Sequence, residues 1–188
     1  MRVFLITQDD PFYITRTIKE LIHELKKDGH QVIGSAASRP SPFGKKESFL
    51  RKALKTYSIF GLYFFLRYSY LYLLNRFVRN LNLSRVLSDY NVPEIKLDDS
   101  INHGNSLKKI RDLNPDILIS VAGNEIFKKP LIDLAPKGCL NLHTALLPKY
   151  RGLMPTFWVL KNNEKFTGVS VFFVDEGIDS GDIVVQKK

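Results

Sequence analysis

The chain has 188 residues, of which 44% are hydrophobic and 25% charged, and its formal net charge is +9. This length is typical of a single domain, and this composition excludes an intrinsically disordered protein. One cysteine, Cys139, and four scattered histidines exclude a disulfide framework and argue against a structural metal site. The apolar opening run turns polar at Thr7, too early for a signal peptide, so we expect a cytoplasmic protein.

The first elements predicted along the chain are two strands on either side of a helix. Apolar runs at 2–7 and 31–35 are typical of buried strands, and apolar residues recur at helical spacing over 12–27. A strand–helix–strand order is typical of a parallel α/β sheet. A cluster of Pro, Ser and Gly at 38–44 then marks a boundary.

The next segment, 45–82, is predicted to be a helical insertion, and the charge is concentrated in it. Nine basic residues and one acid lie between Lys45 and Arg85, which accounts for eight of the nine net positive charges. Its longest apolar run, Ile59–Leu66, is too short to cross a bilayer. We expect a helical hairpin or one long helix that packs on the domain, on a second copy in a homodimer, or on a membrane surface. Aromatic residues at helical spacing form one face of it: Tyr57, Phe60, Phe64 and Tyr68.

The remaining elements continue the α/β alternation. The clearest buried strand in the chain is predicted at 116–122. We predict one Rossmann-like domain over 1–188, an α/β fold with a mostly parallel central sheet and the helical insertion at 45–82. The other predicted elements are helices at 83–90, 106–113 and 155–162 and strands at 93–97, 138–143, 167–175 and 183–186.

Two stretches, 141–152 and 175–181, contain the polar residues that are candidates for a catalytic or binding site. Asn141 and His143 are two apart on a predicted strand, so their side chains share a face at the strand's carboxyl end, where α/β sheets bind ligands. The stretch 175–181 is poor as a calcium loop, because Gly177 occupies a ligand position and Gln186 stands where a bidentate Glu is needed. From spacing alone, both stretches are also explained by local hydrogen bonding and an acidic turn.

The pattern N-L-H-x-x-L-L-P-x-Y-R-G, followed by D-x-G-x-D-x-G, resembles the 10-formyltetrahydrofolate-dependent formyltransferases over residues 115–186. Members of that family formylate methionyl-tRNA, glycinamide ribonucleotide or the amino sugars of nucleotide sugars. The resemblance implies 10-formyltetrahydrofolate as co-substrate, no metal, and catalytic roles for Asn141, His143 and Asp179. It also implies a pterin pocket between two loops, lined by Val121, Ala122, Gly123, Asn124, Ile126, Phe127, Asp175 and Gly177.

Two features depart from the family pattern. Ala145 stands where members often carry Ser, and segment 45–82 has no counterpart in the better-known members. The chemistry nevertheless suits the residue types. When an amine attacks the formyl carbon, Asn141 can donate to the developing oxyanion, protonated His143 can stabilise the same charge, and Asp179 can hold His143 or relay a proton.

The loop after the first strand bears on the acceptor. Glycinamide ribonucleotide enzymes carry a glycine-rich phosphate loop there, whereas 7–13 has no glycine and two acids. The tRNA enzymes add a C-terminal barrel, which would have to follow Lys188. The sequence also stops just after a predicted strand, without the helix that members add, so we expect the chain to be a fragment truncated at its C-terminus.

We therefore expect formyl transfer to an amino sugar of a nucleotide sugar. Methionyl-tRNA formylation and hydrolysis of formyltetrahydrofolate, in which water replaces the amine, are the enzymatic alternatives. A hypothesis of a different class is a membrane-surface or nucleic-acid binding module that retains the fold without activity, since segment 45–82 is basic and aromatic.

Overall fold

The computed structural model describes residues 1–38, 48–79, 81–98 and 100–188. The predicted boundary after Ser38 and the first residues of the insertion therefore lie outside the described residues. Within the described part, one six-stranded sheet has the order β2-β1-β3-β4-β5-β6. Its strands are β1 (Arg2–Gln8), β2 (Gln31–Ser38), β3 (Ile117–Val121), β4 (Cys139–His143), β5 (Val169–Phe173) and β6 (Ile183–Lys187).

The pairings of β1 with β2, β1 with β3 and β3 with β4 are parallel, whereas β5 and β6 join in antiparallel pairings. This confirms the α/β, Rossmann-like fold with a mostly parallel sheet. Because β1 to β4 run in one direction, their carboxyl ends lie along one edge of the sheet. The helices are α1 (Ile14–Lys27), α2 (Phe49–Leu73), α3 (Leu83–Asp89), α4 (Gly104–Asp112), α5 (Lys129–Ile132) and α6 (Pro155–Lys161), with a π-helical turn at Leu74–Val78 after α2.

Both faces of the sheet are largely buried at β1, β2 and β3, as their uninterrupted apolar runs predict, whereas all residues of β6 are exposed. Val3 and Leu5 of β1 pack into a first core with α1 and α3, whereas Phe4 and Ile6 pack into a second core with α4 and α5. The prediction of a strand at 93–97 is wrong, because these residues form no strand in the structure. Only Glu94 forms a bridge, to Ser35 of β2, because Pro93 has no N–H to donate and the chain then turns at Asp98, whose N–H donates to Ser106 Oγ at 3.1 Å.

A buried serine on β5 fixes the loop that follows β4. The hydroxyl of Ser170 donates to the Ala145 carbonyl at 2.7 Å and accepts from the Leu147 N–H at 3.1 Å. The side chain of Gln186 on β6 donates to the Leu147 carbonyl at 2.8 Å. In the sequence, Gln186 occupies the position where a calcium loop needs a bidentate Glu. In the structure, its side chain holds the loop after β4 in place. The Leu147–Pro148 peptide is cis.

The insertion folds back on itself at Gly61, whose φ of 77° and ψ of 175° interrupt α2. Phe49 and Tyr72 are in ring contact, with centroids 6.5 Å apart. In a straight helix, residues so far apart in sequence would be separated by roughly 35 Å. The rings of Tyr57 and Phe65 also meet, at 6.0 Å. Of the two predicted shapes, the structure therefore has the helical hairpin. We call residues 49–73 the aromatic hairpin.

The base of the aromatic hairpin is attached to the loop after β1. Tyr68 stacks on Phe12 with ring centroids 4.6 Å apart, and Arg76, just beyond the hairpin, pairs with both carboxylate oxygens of Asp9 at 2.9 and 3.1 Å. Burial in this contact, with the nearby carboxylate of Asp10, raises the pKa of the Tyr68 hydroxyl. Across the described residues, none of the helices combines the length and apolar composition that crossing a bilayer requires.

Candidate active site

Strand β4 presents Asn141 and His143 on one face of the sheet, at its carboxyl end. Cys139, on the same face, packs into the second core, whereas Leu140 and Leu142 pack against the first. The alternation confirms that Asn141 and His143 share a face. Asn141 lies opposite Ser120 of β3 and Phe172 of β5.

The imidazole of His143 is buried and held from two sides. Its Nε2 donates to the Tyr150 carbonyl at 2.7 Å, and its Nδ1 lies 3.3 Å from Asp179 Oδ2. A carbonyl and a carboxylate both accept, so both contacts are attractive only when each ring nitrogen carries a proton. The arrangement therefore suits an imidazolium. Because both nitrogens face protein oxygens, the expected stabilisation of the oxyanion by protonated His143 would act through charge.

Asp179 joins the two sequence motifs. It adopts a left-handed backbone conformation with φ of 47°, and its Oδ2 accepts from the Gly152 N–H at 2.8 Å while facing His143. Tyr150 and Gly152 belong to the first motif and Asp179 to the second. The two motifs thus form one structural unit around the His143 ring.

The loop 175–181 is closed by its own residues. The carboxylate of Asp175 accepts from the Gly177 N–H at 3.0 Å and from the Ser180 hydroxyl at 2.8 Å. A side chain at Gly177 would overlap Ser180, and one at Gly181 would overlap the Phe173 carbonyl. The acid and both glycines of the motif are therefore needed to shape the turn that presents Asp179. Asp175, predicted to contact the co-substrate, orders the loop in this structure.

The second predicted pocket wall, the loop after β3, is held by residues that the sequence did not single out. Asn102 donates to the Ile126 carbonyl and accepts from the Lys128 N–H, both at 2.9 Å, and Glu125 contacts the Ser100 hydroxyl. These contacts join distant parts of the chain, and no local pattern marks them. Side chains of two predicted lining residues, Val121 and Phe127, lie in the cores, whereas Ile126 is 70% exposed.

Neither of two cavities formed by the described residues joins the two predicted walls. A cleft beside Gly123 and Asn124 extends toward Ile6 and Ile101, has no interior room for a water molecule and includes none of residues 175–179. A cavity of about 200 Å³ lies between Tyr150 and Phe166, and Asp179 does not line it. The pterin pocket remains a prediction.

Asn141 and Cys139 differ in what their side chains offer. Asn141 is half-buried, and its amide forms no hydrogen bond to any residue in the described ranges, so the amide is available to a ligand.

Cys139 is 1% exposed, and burial raises the pKa of its thiol to about 12. A thiol that stays protonated is a poor nucleophile, which confirms Cys139 as a buried strand residue.

Comparison with known proteins adds the family. Residues 87–188 match the family model described as formyl transferase, which is more than half of the chain. The chain is 41% identical over 106 residues to methionyl-tRNA formyltransferase of Kosmotoga olearia, covering 56% of this chain and 34% of the relative. It is 46% identical over 96 residues to the methionyl-tRNA formyltransferase of Thermodesulfovibrio yellowstonii, covering 51% and 30%. The chain therefore spans about a third of the length of these relatives.

Solved structures share the fold. Phosphoribosylglycinamide formyltransferase from Bacillus halodurans superposes with a TM-score of 0.65 at 17% identity, covering 99% of this chain and 78% of that one. A sugar N-formyltransferase from a Shewanella species gives a TM-score of 0.56 at 16% identity, covering 100% and 56%. At these identities the similarity shows the fold alone.

Proposed function

Because this chain belongs to the formyl transferase family, we propose that it transfers a formyl group from 10-formyltetrahydrofolate to a primary amine. The observation that carries the proposal is the pair of His143 and Asp179, 3.3 Å apart, beside the amide of Asn141 at the carboxyl edge of the sheet. These are the groups that attack of an amine on a formyl carbon requires: a hydrogen-bond donor, an imidazole held beside a carboxylate, and a proton acceptor.

In the proposed mechanism, Asn141 donates its amide N–H to the formyl oxygen as that oxygen becomes negative. His143 acts through its charge rather than through a hydrogen bond, since its nitrogens face Tyr150 and Asp179. The amine nitrogen bonds to the formyl carbon and becomes an ammonium. Asp179 accepts its proton directly or through water, the bond from the formyl carbon to the folate nitrogen breaks, and that nitrogen takes up a proton.

For the co-substrate we propose a pterin pocket between the loop after β3 and the loop 175–179. With Val121 and Phe127 in the cores, the first wall is formed by backbone groups and side chains from Ala122 to Ile126, and Gly177 contributes backbone to the second. Backbone N–H and C=O groups of irregular loops suit the donors and acceptors on a pterin edge. A complex with a folate analogue tests this assignment, and a pterin bound elsewhere contradicts it.

For the acceptor we propose an amino sugar of a nucleotide-linked sugar. The support is the loop after β1, where Asp10 accepts from the Phe12 and Tyr13 N–H groups at 3.0 and 2.8 Å and Asp9 pairs with Arg76. The first N–H groups at the start of α1 are thus used by a carboxylate. A phosphate bound there, as glycinamide ribonucleotide would require, meets two negative charges instead of free donors.

Methionyl-tRNA is the second candidate acceptor. The names of the relatives that match about half of this chain favour it, as does the basic segment attached beside the same edge of the sheet. Product mass spectrometry distinguishes the candidates. The chain is incubated with 10-formyltetrahydrofolate and, separately, a panel of amino-sugar nucleotides, methionyl-tRNA, glycinamide ribonucleotide or no acceptor. A product heavier by one formyl group identifies the acceptor, and folate turnover without acceptor indicates hydrolysis.

A further inference from the structure

The aromatic hairpin exposes a large apolar surface. None of the residues of α2 is buried, and its aliphatic side chains are exposed along both arms. Monomeric proteins rarely expose continuous apolar surface of this kind unless it binds something. Examples on both arms and at the turn are Leu50, Leu54, Ile59, Leu62, Tyr63 and Leu66.

The hairpin carries positive charge and no acids. Residues 49–73 contain four Lys and Arg and no Asp or Glu, and Arg76 and Arg79 follow the hairpin. Arg51, Arg67 and Arg79 are exposed. An apolar surface interleaved with cations, and without acids, is complementary to a surface that is apolar inside and anionic outside.

We propose that the aromatic hairpin inserts its apolar side chains into the interface of an anionic lipid bilayer, with its arginines and lysines at the headgroups. A second copy of the hairpin would bring four positive charges against four, which opposes association. A nucleic acid would satisfy the cations and stack on the aromatic rings but would leave the exposed leucines and isoleucine in water. No helix in the described ranges is able to cross a bilayer, so the hairpin lies in its surface.

The attachment of the hairpin gives this surface a position relative to the candidate active site. The Tyr68–Phe12 stack and the Arg76–Asp9 pair hold the base of the hairpin to the loop after β1. That loop follows the carboxyl end of β1, at the edge where β4 presents His143. This inference does not depend on the proposed function, since membrane binding is measured without folate or acceptor.

Co-sedimentation with vesicles tests the proposal. The whole chain is mixed with vesicles of phosphatidylcholine alone or of phosphatidylcholine with phosphatidylglycerol, at low and at high salt. We expect sedimentation with the anionic vesicles, weaker binding at high salt because ions screen the headgroups, and little binding to phosphatidylcholine alone. Absence of binding to anionic vesicles at low salt, or equal binding to both compositions, overturns the proposal.

Matched substitutions locate the binding surface. Leu50 on the hairpin and Leu160 on α6 are 74% and 75% exposed, so L50S and L160S remove equally accessible side chains. We expect L50S to weaken vesicle binding about tenfold and L160S to leave it unchanged. R51Q on the hairpin is expected to weaken binding about fivefold, and R111Q on α4 to have no such effect. Because the four substituted side chains are exposed, we expect each of the four variants to have the same thermal melting point as the parent protein.

Two further measurements test whether the hairpin binds a second copy of the chain or a nucleic acid instead of a membrane. Light scattering of the parent and of L50S without vesicles reports on self-association. If L50S converts a dimer to a monomer, the hairpin binds a second copy and the proposal is wrong. If the hairpin variants weaken binding to bulk tRNA but not to anionic vesicles, the occupant is a nucleic acid, which also overturns the proposal.

Discussion

Asp179 has two partners on different segments, the His143 ring and the Gly152 N–H, and it faces both with the same oxygen, Oδ2. Asp179→Asn keeps an oxygen that accepts from Gly152 but loses the negative charge beside His143. We expect kcat to fall about 10²–10³-fold, with little change in the Kd for folate. The matched control is D133N, which removes an exposed carboxylate from the end of α5. Normal kcat in folded Asp179→Asn protein contradicts the mechanism.

Asn141 and His143 are proposed to act on one oxyanion, Asn141 by a hydrogen bond and His143 by charge. Each single change to Ala is expected to lower kcat about 10²–10³-fold. The double variant is expected to lose less than the product of the two single losses, because the remaining group cannot act alone at full strength. Kinetics of all three variants, with melting curves to confirm folding, measure this. Fully multiplicative losses show that the residues act independently.

The pH dependence of stability reports on the burial of Cys139, which lies on the strand that carries the candidate site. Its thiol has a pKa of about 12 when folded and near 9 when unfolded. The protonated thiol therefore contributes stability that is complete below pH 9 and is lost as the pH rises toward 12. Urea unfolding at pH 8 and at about pH 10.5, compared with the C139A variant, is expected to show a steeper loss of stability in the parent. Equal pH dependence in the two proteins contradicts the buried thiol.

At the scale of elements, the turn 175–181 depends on glycines. A Cβ on Gly181 would overlap the Phe173 carbonyl, which is backbone and cannot move aside as a flexible side chain does. We expect G181A to destabilise the fold by about 1–3 kcal/mol and to lower kcat by displacing Asp179. The control is G104A at the start of α4, where a Cβ meets no atom within 4 Å. Chemical denaturation and kcat are measured on both, and equal stability of the two variants contradicts this account.

The elements also show what sequence patterns determine. The strands β1 and β3 were predictable because both faces are apolar. Aromatic residues at helical spacing predicted helix in the insertion but left a hairpin and one long helix open, and the non-helical backbone of Gly61 gives the hairpin. The four residues of α5 are too few to show a period, and the strand expected at 93–97 is reduced to a single bridge at Glu94. Both differences arise where local pattern is short and long-range contacts decide.

At the scale of the whole molecule, the motifs placed the candidate site more closely than they described it. Asn141 and His143 share a face because a strand alternates, which sequence spacing states directly. That the His143 ring donates to the Tyr150 carbonyl, and that Asn102 holds the loop after β3, depends on chain segments meeting in the fold. No local signal carries such contacts, so the sequence alone did not show how the His143 ring is held.

The described part of the chain therefore combines an α/β domain, which carries the proposed formyl-transfer site, with a basic hairpin attached beside it. The most direct test of the central claim follows an isotope-labelled formyl group from 10-formyltetrahydrofolate to an amine by mass spectrometry, in the parent and in Asp179→Asn. We expect equimolar loss of formyl-folate and gain of formylated amine in the parent, and a rate about 10²–10³-fold lower in the variant. No labelled amine with any acceptor of the panel, or equal rates in the two proteins, would contradict the claim.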